Sequence, residues 1–227
     1  MNRLIISAEK QGVLNKLRSL GFEITETESI KLLPEFERTH ADMQCLRIGD
    51  VFFVLKDCAR LCKTLEGLGL TVVLTCKSIE SKYPGNVLLN AAFFNNRLYG
   101  RLDSVDKTVL DYCDERGIEK VNVNQGYAKC STALLGDRFI TADKGIFDAM
   151  SERGERGLLI SPGGIELKKV DYGFIGGCSF ELGGAVYFAG DISKHPDFMR
   201  IQSFLSDKKI VCLTDERLYD IGGVVAV

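Results

Sequence analysis

Most of the usual signatures of function are missing from this chain. No apolar run approaches the ~20 residues that cross a bilayer; the longest resemble residues 51–55. Residues 1–10 lack the apolar core of an export signal, so a cytoplasmic protein without a membrane partner is expected. With 29 basic against 31 acidic residues the net charge is −2, and no basic block exceeds the pairs Lys168-Lys169 and Lys208-Lys209. A nucleic-acid partner needs a concentrated cationic footprint and is therefore not expected. Neither the GxxxxGKS/T loop nor a strand-coupled GxGxxG is present, which removes the two common nucleotide sites. There are only two histidines, His40 and His195, and the closest cysteine pair, Cys58 and Cys62, is spaced CxxxC on a helical stretch. That spacing argues against a structural zinc site. The eight cysteines of an unexported chain read as reduced thiols, most of them packing as small hydrophobes. What remains is an ordinary globular composition, 45% hydrophobic and 26% charged, over a length that admits one large domain or two small ones.

Against these absences stands an internal repeat. Four segments share the order strand, tight turn, strand, helix, strand, and they align on turns rich in glycine and asparagine. The turns are Gly49-Asp50, Asn95-Asn96, Gly136-Asp137 and Gly183-Gly184, at intervals of 46, 41 and 47 residues. First strands are predicted over 43–48, 87–93, 130–135 and 179–182, and second strands over 51–55, 97–99, 138–141 and 185–188. Helical periodicity follows over 57–68, 104–116, 144–153 and 196–205, the first two stopping at Gly69 and Gly117. Apolar strands over 71–74, 120–123, 158–160 and 210–213 close the units, each of which is ββαβ.

The chain ends supply a fifth copy in two pieces. Residues 3–7, 11–20 and 22–25 read as second strand, helix and closing strand, and residues 224–227 as the missing first strand. Pairing the terminal strands in one sheet closes a ring and removes exposed edges. Over its full length this pattern resembles the pentein superfamily, whose enzymes modify guanidino groups. The resemblance implies an α/β fold, a single domain over residues 1–227, and a five-bladed α/β propeller of ββαβ units with pseudo-fivefold symmetry. It implies no metal or organic cofactor. The alternative, an open α/β sheet, calls for mostly parallel strands linked by helices and fits repeated hairpins poorly.

In such a propeller the starts of the first strands line a central channel. Nine residues before the turns stand His40, Asn86, Tyr127 and Phe174, and seven before them Asp42, Leu88, Lys129 and Gly176. His40 and Asp42 form a His-x-Asp pair that strand alternation would put on one face, a proton-transfer imidazole beside a cation-binding carboxylate. The pair resembles the family's catalytic histidine segment; a loop histidine beside a cap is the plainer explanation. Cys130, in Gly126-Tyr127-Ala128-Lys129-Cys130-Ser131, is similar to the nucleophile segment of agmatine and arginine deiminases. Lys129 or a protonated His40 is expected to lower its thiol pKa from the free value of ~8.5. Cys178, in Gly176-Gly177-Cys178-Ser179, is the rival nucleophile and shares strand parity with Asp42, whereas Cys130 is one step out of register. One blade lies between His40 and Cys130, as in dimethylargininase-like members, and their acid followed by paired glycines corresponds to Asp220-Ile221-Gly222-Gly223, with one extra residue. Asp220 is thus a candidate for holding the imidazole or the substrate cation, and Glu181 for a second guanidinium-binding carboxylate. His195, followed by Pro196, reads as the start of a helix.

Two functions follow. In the first, a small cationic guanidino-type molecule is attacked by Cys130 and His40 transfers the protons, in a hydrolase or an amidinotransferase. In the second, the chain is a pentein-like binding or interaction module without this chemistry, comparable to the ribosome-associated translation initiation factor that shares the fold. The absence of a clear acid-Gly-Gly-Asp motif and the short length speak for the second, and the absence of any obvious interaction surface in the sequence tips the reading to the enzyme.

Overall fold

The computed structural model describes residues 2–227. The chain opens with β1 (Arg3–Ile6), α1 (Gln11–Ser19) and β2 (Glu23–Glu26). A second unit follows with α2 (Ala41–Gln44), β3 (Cys45–Ile48), β4 (Val51–Val54), α3 (Ala59–Gly67) and β5 (Thr71–Leu74). The third holds β6 (Ala92–Phe94), β7 (Arg97–Gly100), α4 (Lys107–Arg116) and β8 (Glu119–Asn122). The fourth holds α5 (Ala128–Ser131), β9 (Thr132–Leu135), β10 (Arg138–Thr141), α6 (Lys144–Ser151) and β11 (Arg156–Leu159). After a short strand β12 (Ile165–Glu166) come β13 (Ser179–Leu182), β14 (Ala185–Phe188), α7 (Phe198–Phe204) and β15 (Lys209–Cys212), and the chain finishes with β16 (Leu218–Tyr219) and β17 (Val224–Ala226).

These strands make five three-stranded sheets with one pattern. The first strand pairs antiparallel with the second across a two-residue turn, as in Cys45 opposite Val54 and Ile48 opposite Val51. The third returns through a helix and pairs parallel with the second. The Asn95-Asn96 turn shows why these residues stand there: both take positive φ, 46° and 61°, as the twist-matched hairpin turn demands. The fifth sheet joins the termini, β17 antiparallel to β1 with Ile5 opposite Val225, and β1 parallel to β2. No sheet closes on itself among the described residues, and no helix there is long and apolar enough to cross a membrane.

Each helix buries one stripe against its sheet, α1 through Val13, Leu14 and Leu17 and α3 through Leu61, Cys62 and Leu65. Asp106 and Asp143 cap α4 and α6 by accepting from Thr108 and Ile146 backbone N–H groups, and Gly117 ends α4 in the left-handed conformation. The apolar core is divided into three clusters lying between units. All eight cysteines are free thiols, and Cys45, Cys58, Cys62, Cys113 and Cys178 are buried in this packing.

Three of the four first strands start later than the sequence pattern predicts, while β13 starts where expected. Residues 41–44 and 128–131 form single helical turns instead of extended chain, and a turn at 88–89 precedes β6. The reason is tertiary. The side-chain carbonyl of Asn90 accepts the backbone N–H groups of Lys129 and Cys130, at 2.9 and 3.1 Å, and Gly222 O accepts the N–H of Asp42 at 3.0 Å. Amides that a strand would have paired are thus satisfied from elsewhere. Strand parity therefore does not govern positions 42 and 130, and the one-step register difference between Asp42 and Cys130 disappears.

A sixth, two-stranded ribbon pairs β12 with β16, Ile165 opposite Leu218 and Glu166 opposite Tyr219. It has no counterpart in the repeat. It lays residues 165–175 beside 218–223, bringing Asp220 against the fourth and fifth units.

Candidate active site

His40, the residue before α2, sits in extended backbone (φ −62°, ψ 128°), and Asp42 lies within the turn that follows. They do not share a strand face; the turn itself brings them to one side. Cys130 occupies the matching turn, α5, two units on. One donor atom from each of His40, Asp42 and Cys130 lies within 4.8 Å of the others, and all three side chains are buried. The Cys130 thiol donates to Asp42 Oδ2, while Asp42 Oδ1 and His40 Nε2 have no hydrogen-bond partner. Buried polar atoms are rarely left so, and two at one point mark a site prepared for a group from outside.

Asp220 completes the floor. It is fully buried, its two carboxylate oxygens accepting from Phe174 N at 2.8 Å and Gly222 N at 2.9 Å. The first bond ties the 218–223 segment to the wall of the site and the second shapes the segment's own turn, so neither carboxylate oxygen is spent on the imidazole. Gly222, at φ +75°, lies flat on His40, and a Cβ there would stand 2.1 Å from the ring. The paired glycines after the acid are therefore a matter of room as well as backbone angle.

The charge balance runs opposite to the sequence expectation for the thiol. Burial, followed by the Asp42 and Asp220 carboxylates, pushes the Cys130 pKa well above the ordinary thiol value. Burial also pushes Asp42 up to about 7, with Asp220 adding to the rise and His40 opposing it. Lys129 is not among the main influences on the thiol: its charge acts on Asp42, and its backbone N–H donates to Asn90. Metal ligation would need Cys130 as a thiolate, and here the thiol keeps its proton on Asp42. These three residues form the one His, Cys and acid group of metal-binding proximity among the described residues.

Above the floor opens a pocket of about 230 Å³. His40, Cys130, Asp220 and Glu37 bound its polar end. Tyr127 and Phe174 stack across it with ring centroids 6.2 Å apart. Glu37 was not singled out by the sequence pattern, although it stands three residues before His40. Its carboxylate is buried, accepts from Asn86 Nδ2 at 3.0 Å and Tyr127 Oη at 3.1 Å, and is pushed up by burial. The position-nine residues His40, Tyr127 and Phe174 thus all reach the pocket, and Asn86 reaches it through Glu37 and Tyr127.

Two sequence candidates lie elsewhere. Cys178 packs in an apolar cluster with its thiol on Ile175 O at 3.4 Å, and Glu181 pairs with Lys208 at 2.9 Å on the β13 and β14 hairpin. Neither lines the pocket; nor does Lys129, the remaining substrate-binding candidate, and Asp42 lies behind the Cys130 thiol rather than in the lining. His195 starts the helical segment before α7, its Nδ1 accepting from Asp197 N at 3.0 Å, a structural role.

Solved structures share this architecture. A dimethylarginine dimethylaminohydrolase with an S-methyl-L-thiocitrulline adduct is similar with a TM-score of 0.60 at 9% identity, over 100% of this chain and 99% of that one. The dimethylarginine dimethylaminohydrolase of Pseudomonas aeruginosa, complexed with citrulline, gives 0.59 at 9% over 100% and 99%. SxtG, an amidinotransferase from Microseira wollei in the saxitoxin biosynthetic pathway, gives 0.55 at 10% over 93% and 88%. At such identities the likeness is one of fold alone, shared with these enzymes of the pentein superfamily. The chain belongs to the Family of unknown function (DUF6873), whose model matches residues 5–225. No curated protein matches it.

Proposed function

We propose that this chain is a cysteine-dependent enzyme that acts on a small guanidinium or amidinium cation, as a hydrolase or an amidinotransferase. The observation that carries this reading is the convergence of the Cys130 thiol, an unpartnered His40 Nε2 and an unpartnered Asp42 Oδ1 at the foot of a pocket bearing two further acids, Glu37 and Asp220. Without a ligand, burial and then the acids hold the thiol protonated. A bound cation offsets the charge of the acids and so favours the thiolate. Sγ then attacks the central carbon and the C–N bond to one amine breaks. The proton lost by Sγ is the one the departing amine gains, relayed through Asp42 and His40. Water or an acceptor amine, deprotonated by His40, next displaces Sγ.

The reading includes five ββαβ units forming one closed five-bladed propeller over residues 1–227. In its support, first strands touch in the order β6, β9, β13, β17, β3, and Asn90 Nδ2 before β6 donates to Met43 Sδ before β3 at 3.4 Å.

Amine or ammonia release from a panel of alkyl- and arylguanidines tests the function. Release is expected to disappear in Cys130→Ser and His40→Ala and to persist in Cys178→Ser. Release that survives Cys130→Ser unchanged would overturn the assignment.

A further inference from the structure

The polar end of the pocket has one chemistry and its walls another. Glu37, Asp220 and, behind the thiol, Asp42 supply carboxylates, and no lysine or arginine lines the cavity. Lys168 and Lys169, which follow Leu167 of its wall, are both engaged by Glu35, at 2.7 and 2.5 Å, and Lys129, whose charge reaches Asp42, stands outside the lining. The walls are Phe36, Tyr127, Leu167, Val170, Tyr172 and Phe174. Val170 and Tyr172 are 38% and 42% exposed and both line this pocket, Val170 also bordering a neighbouring cavity with Leu167 and Lys168 and Tyr172 one with Pro162 and Ile175. Large apolar side chains left open around a concave site mark a binding surface.

We propose that the substrate is an organic monocation whose guanidinium or amidinium head carries an apolar substituent and no carboxylate. The head enters between Glu37, Asp220 and Cys130, where His40 Nε2 and Asp42 Oδ1 lack partners. The substituent lies between the Tyr127 and Phe174 rings and under Val170 and Tyr172. An amino-acid carboxylate would be carried into a pocket already holding acids, with no cation to receive it; that costs affinity through both desolvation and repulsion. This inference rests on the function proposed above and adds what the substrate bears beyond its cationic head.

The test is calorimetric titration of the full chain, as Cys130→Ser to prevent turnover, with 2-phenylethylguanidine, L-arginine, guanidinium and neutral 2-phenylethylurea. The arylguanidine is expected to bind about tenfold or more tighter than each of the others, the factor a modest buried ring contact supplies. Val170→Arg is expected to narrow or invert the preference over arginine by adding the missing cation at the rim. Equal or tighter binding of arginine, or of the neutral urea, would overturn the inference, as would no binding of any guanidine. Alkylation of native Cys130 by 2-chloroacetamidine, which carries only the head, separates the two levels. Labelling with arginine preferred removes the substituent assignment alone; no labelling and no guanidine binding removes the enzyme reading as well.

Discussion

Asp42 is the residue on which the electrostatics turn. The residue is 2% exposed, and burial pushes its carboxyl up to about 7 from the usual 3.8. A raised carboxyl binds more protons folded than unfolded between those values, so its contribution to stability is fully present below about 4 and is lost as pH rises through about 7. Asp42→Asn removes that loss. Thermal melts are expected to show the variant gaining on the native chain as pH rises over this window, by on the order of a few kcal/mol; a difference independent of pH would contradict the burial account. The same substitution removes the charge beside the thiol and is expected to lower the pKa of Cys130, seen in the pH dependence of alkylation. Of the site residues, His40, Asp42 and Cys130 stood out in the sequence by motif, and Asp220 by the glycines after it. Glu37 did not, because its value lies in burial and in Asn86 and Tyr127, 49 and 90 positions away. Cys178 and Glu181 had the right chemistry in the right unit, but their side chains turn to Ile175 O and Lys208.

At the level of elements, the hairpins and helices were legible because their signals are local: turn residues that accept positive φ, and apolar stripes of helical period. The turns α2 and α5 were not, since what holds them is a carbonyl from another unit. Asn90 spans this gap by satisfying the backbone amides of Lys129 and Cys130. Asn90→Ala is expected to destabilise the chain by about 1–3 kcal/mol, the cost of leaving buried donors unpaired, read by urea denaturation. It is also expected to weaken Cys130 reactivity by loosening its turn. A stability change below ~0.5 kcal/mol would show that these amides find other partners.

Across the molecule, the interval of 41 to 47 residues carries the architecture, and pairing β17 with β1 lets the two termini complete one sheet. The ribbon of β12 and β16 is the part no periodicity announces, yet it fixes Asp220 and half the pocket wall. Asp42 and Asp220 act on the thiol at 130 and Glu37 lines the same pocket, and the function proposed above gives these acids the task of holding a cation against the sulfur. The most direct measurement of that claim is the ratio of alkylation rates by cationic 2-chloroacetamidine and neutral 2-chloroacetamide at Cys130, with exposed Cys76 in the same chain as reference. The expected ratio at Cys130 exceeds that at Cys76 by about tenfold or more, one pKa unit's worth of charge preference. Equal ratios at the two thiols, or a Cys130 that neither reagent modifies, would contradict it.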